Sequence, residues 1–226
     1  MRPAERRYCN IGLMAGALLL AALAAPLARG QSAVTRDDIV SQLSRLDAAP
    51  DLDLAALKQQ ALERSKSRSR TEPPPQKRPP IAPALSSLPT FNVDIQFDPD
   101  TPVVRPESYE TVGRIADALV QSSMLPYGFL IVGHIEANGK RESNVTLSQR
   151  RADSIRDILV NTFKISSKRL QSVGLGEEQL LDPTRPTAPV NQQIQIMTVM
   201  KMPEQSEAPG QPAAPAPAKK PAKKKR

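Results

Sequence analysis

The one long stretch of helix and strand periodicity in this chain, residues 91–202, is bracketed by proline- and lysine-rich segments that cannot build a core. Seven prolines fall between Pro73 and Pro89, interleaved with Lys77 and Arg78. Beyond residue 202 the chain is rich in proline, alanine and lysine, ending in Lys223, Lys224, Lys225 and Arg226. Such compositions hold too little apolar surface to offset the entropy of ordering. Residues 64–90 therefore read as a basic, partly extended linker, and residues 203–226 as a disordered tail. Charge divides in the same way. The 226 residues carry 31 Lys+Arg against 23 Asp+Glu, a net +8, yet residues 91–202 hold 12 basic and 13 acidic side chains. The positive excess lies in the flanks, which argues against a basic globular face and against a nucleic-acid partner. A single Cys excludes a disulfide framework or a thiolate metal site, and a single His speaks against a multi-His metal site or a Ser/His enzyme. No metal or cofactor is expected.

Residues 1–30 read as a secretory signal that is cleaved. Arg2, Arg6 and Arg7 precede an apolar run from Ile11 to Leu27, and Ala28-Arg29-Gly30 offers a processing site. The run is nearly long enough to span a bilayer, so an uncleaved anchor is the other reading. Cys9 precedes the run, which is the wrong side for a lipoprotein cysteine. Residues 31–63 read as two short accessory helices. Thr35 with Asp38 forms a capping box ahead of Ile39, Leu43 and Leu46, and Asp53 caps a second stripe of Leu54, Leu57 and Ala61. The pair either packs on the main domain, stays loose, or binds a partner. The tail's lysines suit attachment to anionic surfaces or solubilisation alone.

Within 91–202, Phe91, Val93, Ile95 and Phe97 alternate with polar residues as a half-buried strand does. Pro106 and Glu107 suit a first helical turn, followed by Tyr109, Val112, Ile115, Ala116 and Leu119 at helical spacing. Phe129 to Val132 is an apolar strand of central type, residues 133–143 a polar loop, and residues 144–162 a second long helix. Leu170–Val173 and Ile194–Val199 complete the set. The order β-α-β-α-β-β predicts an α/β two-layer sandwich, with helices packed on one mixed sheet and disordered flanks.

One residue breaks the pattern. On the second long helix, Leu147, Ile155, Ile158 and Leu159 share a stripe, and Arg151 falls in the middle of it. A guanidinium there is costly unless it pairs or reaches a cleft. It is either a ligand-binding group or a structural arginine whose head snorkels or meets a core carboxylate. Glu136 follows the apolar strand, and Asn144 and Ser148 lie near the start of the helix, where ligands of α/β sheets gather. One carboxylate and one guanidinium facing a common groove suit a zwitterion. No nucleophile–base pair and no glycosidase carboxylate pair is evident, so no enzyme is expected. His134, alone at a strand end, reads as a structural hydrogen-bonding residue.

Gly133-His134-Ile135-Glu136, then Asn144, then Leu147-Ser148-Gln149-Arg150-Arg151-Ala152, resembles the OmpA-like (OmpA/MotB) C-terminal domain, whose hallmarks are a Gly-His-Thr-Asp loop, a downstream Asn and a Leu-Ser-x-x-Arg-Ala helix. Phe97-Asp98, Arg169-Leu170, Gly174-Leu175-Gly176-Glu177 and Asn191 extend the likeness over about residues 91–200. The resemblance implies a periplasmic, non-catalytic domain that binds the peptidoglycan peptide stem non-covalently through diaminopimelate. By position it implies Glu136 and Arg151 as the gripping pair, with Asn144, Leu147 and Asp98 as further binding residues. Ile135 stands where the family has Thr, Gln192 and Gln193 where it has Arg, and Gln195 where an acid is frequent. Those departures support an alternative, an OmpA-like module that binds envelope proteins instead.

Overall fold

The computed structural model describes residues 35–50, 52–67 and 73–202. The expected signal segment with Cys9 and the tail at 203–226 lie outside the described residues. Among the described residues four strands form one sheet in the order β1-β4-β2-β3. They are β1 (Thr90–Val93), β2 (Tyr127–His134), β3 (Leu170–Gly176) and β4 (Ile194–Lys201). β2 and β3 are parallel, and β4 runs antiparallel to both β1 and β2. Among the described residues four α-helices accompany them: α1 (Arg36–Leu43), α2 (Leu54–Lys66), α3 (Tyr109–Leu119) and α4 (Arg141–Asn161). The β-α-β-α-β-β order and the mixed sheet are as the sequence predicts.

β2 reads as an unbroken apolar run because both of its faces are covered. Phe129 and Ile131 enter one core with Val112, Ile115 and Leu119 of α3 and Ile155 and Leu159 of α4. Leu130 and Val132 enter a second core with Met197 and Val199 of β4. The second face is closed by Leu57 and Ala61 of α2 and by Ala82 and Leu85. The accessory helices keep their expected caps: Thr35 and Asp38 form the capping box, and Asp53 accepts from the Ala55 and Ala56 amides. α1 buries Ile39 and Leu43 in the first core, and the buried Thr198 hydroxyl donates to the Leu43 carbonyl at 2.6 Å.

The described parts of residues 64–90, 64–67 and 73–90, differ from the expected extended linker. α2 continues to Lys66, residues 75–77 and 83–87 form 3-10 turns, and Leu85 is fully buried. The open second face of the sheet supplies the partners that Ala82 and Leu85 lack locally. Two of the positive charges are absorbed too, since Arg64 lies 3.2 Å from Glu178 and Arg78 3.1 Å from Glu177. The first strand is shorter than its alternation, although burial alternates from Phe91 to Phe97. Val93 is the last residue paired with β4, opposite Ile194 where that strand begins. Phe97 instead bridges Val104 across a turn that holds Asp100 at φ 55°.

Candidate functional site

The setting of α4 against the sheet decides what faces solvent. A β-carbon at Gly133 or Gly174 would overlap the backbone of Ser148 and Gln149, so the helix lies closer to β2 and β3 than any other residue would allow. Two side chains tie that approach down: the Gly176 amide donates to Ser148 Oγ and the Gly174 amide to Gln149 Oε1, both at 2.9 Å. The buried stripe of α4 is therefore Asn144, Val145, Ser148, Arg151, Ala152, Ile155 and Leu159. It is rotated from the stripe predicted by hydrophobicity, because Asn144 and Ser148 are polar and small. Leu147 and Ile158 sit half-buried at its margin.

A cavity of about 860 Å³ opens beyond the carboxyl end of β2. Phe97 and Asp100 come from the first turn, Ile135, Glu136 and Asn138 from the loop after β2, Asn144, Leu147 and Arg151 from α4, and Gln192 from the segment before β4. Its charged lining is balanced: Asp100, Glu136 and Glu142 against Lys140, Arg150 and Arg151. Such a wall suits a molecule bearing both charges better than a simple anion or cation.

Arg151 is only 4 % exposed. Its Nε donates to the Thr101 carbonyl at 3.0 Å, and its guanidinium lies 4.8 Å from the Phe97 ring centroid. Burial pulls its pKa below the ordinary arginine value, and the charges of Glu136 and Asp100 oppose that shift. Glu136 is joined to it through Gln192. The Gln192 amide, turned to satisfy both neighbours, donates to Glu136 Oε2 at 2.7 Å and Oε1 at 3.2 Å, and accepts from Arg151 Nη1 at 3.0 Å.

A second cluster of acid and arginine lies on the other side of the α4 N-terminus. Arg141 meets both carboxylate oxygens of Glu178 at 2.9 Å, and Arg64 meets the same group. Glu177 receives Arg78 and the Asn144 amide, the latter at 2.9 Å. Asn144 Nδ2 also faces Asn138 Oδ1 at 2.9 Å and the Glu136 carbonyl at 3.4 Å. This residue thus connects the cavity loop to the second cluster. His134 is equally structural: its ring nitrogens lie 2.9 Å from the Gln179 carbonyl and from Gln195 Oε1. Burial lowers its pKa to about 4 against the pull of those bonds.

Of the sequence-derived site residues, Glu136, Asn144, Leu147 and Arg151 line one cavity. Asp98 does not: its carboxylate, half exposed, pairs with Arg105 at 3.3 Å. Asp100, two residues on, turns into the cavity instead. The Asp98-Pro99-Asp100 turn was the available signal, since Asp tolerates the positive φ that redirects the chain. Gln192 was read only as a lost charge, and nothing in sequence spacing shows that its amide spans the two charged groups. Among the described residues no three His, Cys, Asp or Glu side chains are grouped to hold a metal ion, and no helix is long and apolar enough to cross a membrane.

Residues 96–193 match the OmpA family. The Pseudomonas aeruginosa protein named outer membrane porin F is 32% identical over 97 residues, covering 43% of this chain and 27% of its own. The peptidoglycan-associated lipoprotein of Mesorhizobium japonicum is 35% identical over 85 residues, covering 38% of this chain and 49% of its own. The chain thus spans about half or less of the length of these curated relatives. Among solved structures, the cell wall anchor of the T6SS from Pseudomonas aeruginosa is 26% identical, with a TM-score of 0.40 over 50% of this chain and 80% of that one.

Proposed function

We propose that the domain at residues 91–202, which matches the OmpA family over residues 96–193, is a non-catalytic module of the bacterial envelope that binds peptidoglycan peptide stems non-covalently, through the diaminopimelate residue. The observation that carries this reading is the pairing of Glu136 and Arg151 across one cavity, a single amide apart. In it, Glu136 receives an ammonium and Arg151 a carboxylate, two charge-assisted contacts that a diaminopimelate side chain supplies from one α-carbon. Phe97 backs the guanidinium, and the Thr101 carbonyl fixes its orientation. Leu147 and Ile135 give the alkyl chain apolar walls. Relatives whose name associates them with peptidoglycan add support, as does an exported, periplasmic location read from residues 1–30. Contacts to envelope proteins or anionic surfaces are secondary: Arg64 and Arg78 are committed to buried carboxylates, and the exposed Lys66 and Lys77 with the tail's lysines serve that purpose.

Ile135 and the neutral Gln192 in the lining favour a second reading, in which the same cavity holds a segment of an envelope protein. Titration calorimetry with a diaminopimelate-containing muropeptide separates the two. The parent binds, and Arg151→Ala abolishes binding while its circular dichroism keeps the folded signature. A parent that neither binds the muropeptide nor sediments with sacculi leaves the protein-partner reading.

A further inference from the structure

We propose that Gln192 is an internal stand-in for the zwitterionic head group, and that it sets affinity by competing with the ligand for Glu136 and Arg151. The inference rests on the peptidoglycan reading above and goes beyond it to what occupies the site before the ligand arrives. The amide nitrogen lies 2.7 Å from Glu136 Oε2, where an ammonium would bind, and the amide oxygen 3.0 Å from Arg151 Nη1, where a carboxylate would bind. An amide presents its nitrogen and oxygen on one carbon, and an amino-acid head group presents them on adjacent carbons. The same gap therefore accepts either, in the same orientation, but not both at once.

The side chain is placed to leave. Gln192 is exposed, whereas the preceding Asn191 is fully buried. The Asn191 amide donates to the Arg185 carbonyl at 2.8 Å, and its oxygen accepts from the Asp182 amide at 2.8 Å. The backbone under Gln192 is thus held while the side chain pivots. In the ligand-free protein the bridge keeps a buried guanidinium and a nearby carboxylate satisfied by a neutral group. A ligand with full charges at both ends displaces it, because charge-assisted bonds exceed those of a neutral amide. A ligand carrying only one charge recovers half of the bridge and loses the other half, so the amide also selects for zwitterions.

The test is titration of meso-diaminopimelate into the full chain and into Gln192→Ala and Gln192→Asn. The second variant keeps an amide but is one methylene too short to span both groups. Each variant is expected to bind about tenfold tighter than the parent, equivalent to about 1.4 kcal/mol, and to melt at a lower temperature than the parent, because the ligand-free protein has lost the bridge. Binding by the variants alone, with none detectable for the parent, supports the competition most strongly. If the parent binds and both variants bind equally or more weakly, Gln192 is a neutral bystander or a ligand contact, and the proposal is overturned while the peptidoglycan reading stands. If parent and variants all fail to bind, both fall together.

Discussion

On one side of the α4 N-terminus, Arg141 and Arg64 close directly on Glu178, whose side chain is fully buried. On the other, Arg151 reaches Glu136 only through an amide, at the wall of a cavity of about 860 Å³. The residue types are the same and the elements adjacent, yet one set is consumed by the fold and the other stays apart at a cavity wall. The difference lies in what completes each charge. Glu178 meets guanidinium forks from two separate segments, so its charge fastens α2 and the start of α4 to the loop after β3. Arg151 is completed by a carbonyl, a ring face and a neutral side chain, all weaker than a carboxylate.

That contrast can be broken most forcefully at the closed side. Glu178→Ala leaves two arginines without their buried partner and is expected to cost about 3–5 kcal/mol of folding stability, read from urea unfolding. A loss below about 1 kcal/mol would mean the cluster behaves as a surface pair. Next in size is the buried histidine that ends β2. His134 is held near a pKa of about 4 by burial, against about 6.5 when unfolded. Its contribution is fully present above pH 6.5 and is lost as pH falls toward 4, because the unfolded chain takes the proton first. The difference approaches about 3 kcal/mol at full titration. Stability measured across pH 7 to 4 should fall less steeply in His134→Gln; equal slopes would remove the assignment.

Smaller effects belong to the open side. Glu136→Gln should weaken muropeptide binding by about 1.5–3 kcal/mol, the worth of a hydrogen bond to a charged group, with folding stability changed by no more than about 0.5 kcal/mol. Glu136→Asp, which draws the carboxylate back by one methylene, should tighten binding; calorimetry showing neither change would move the ligand elsewhere. The least effect concerns the tail. A chain ending at Met202 should bind sacculi slightly less well at low salt and equally well at high salt, since exposed charges act over about 10 Å at 0.1 M. Superimposable salt curves would make the tail's lysines a solubility device.

The parts legible in the sequence are those governed by local period. The apolar run Phe129–Val132, the stripe of α3 and the caps Thr35 and Asp53 all announce their elements without reference to distant residues. The pair Glu136 and Arg151 was legible because a charge interrupts an apolar stripe near a strand end. What was hidden depends on chain segments meeting. Leu85 sits in a proline-rich run with no period, and only the uncovered face of β2 and β4 gives it a place to bury. The rotation of α4 follows from glycines on two other strands, which a helical wheel does not contain. Asp98 and Asp100 differ by the turn between them, and the positive φ at Asp100 settles which one enters the cavity.

The span of family likeness and the span of the core do not coincide. Likeness covers residues 96–193, whereas β1 ends at Val93 and β4 begins at Ile194. In the order β1-β4-β2-β3, cutting at those limits removes the two strands on one side and leaves β2 as a bare edge, apolar on both faces. Unpaired edges of that kind recruit further strands and aggregate. The transferable unit in this chain is therefore longer than its recognisable motif. A graft that carries the cavity into another protein has to carry Leu57, Ala61, Ala82 and Leu85 with it, together with the strand that follows Gln193.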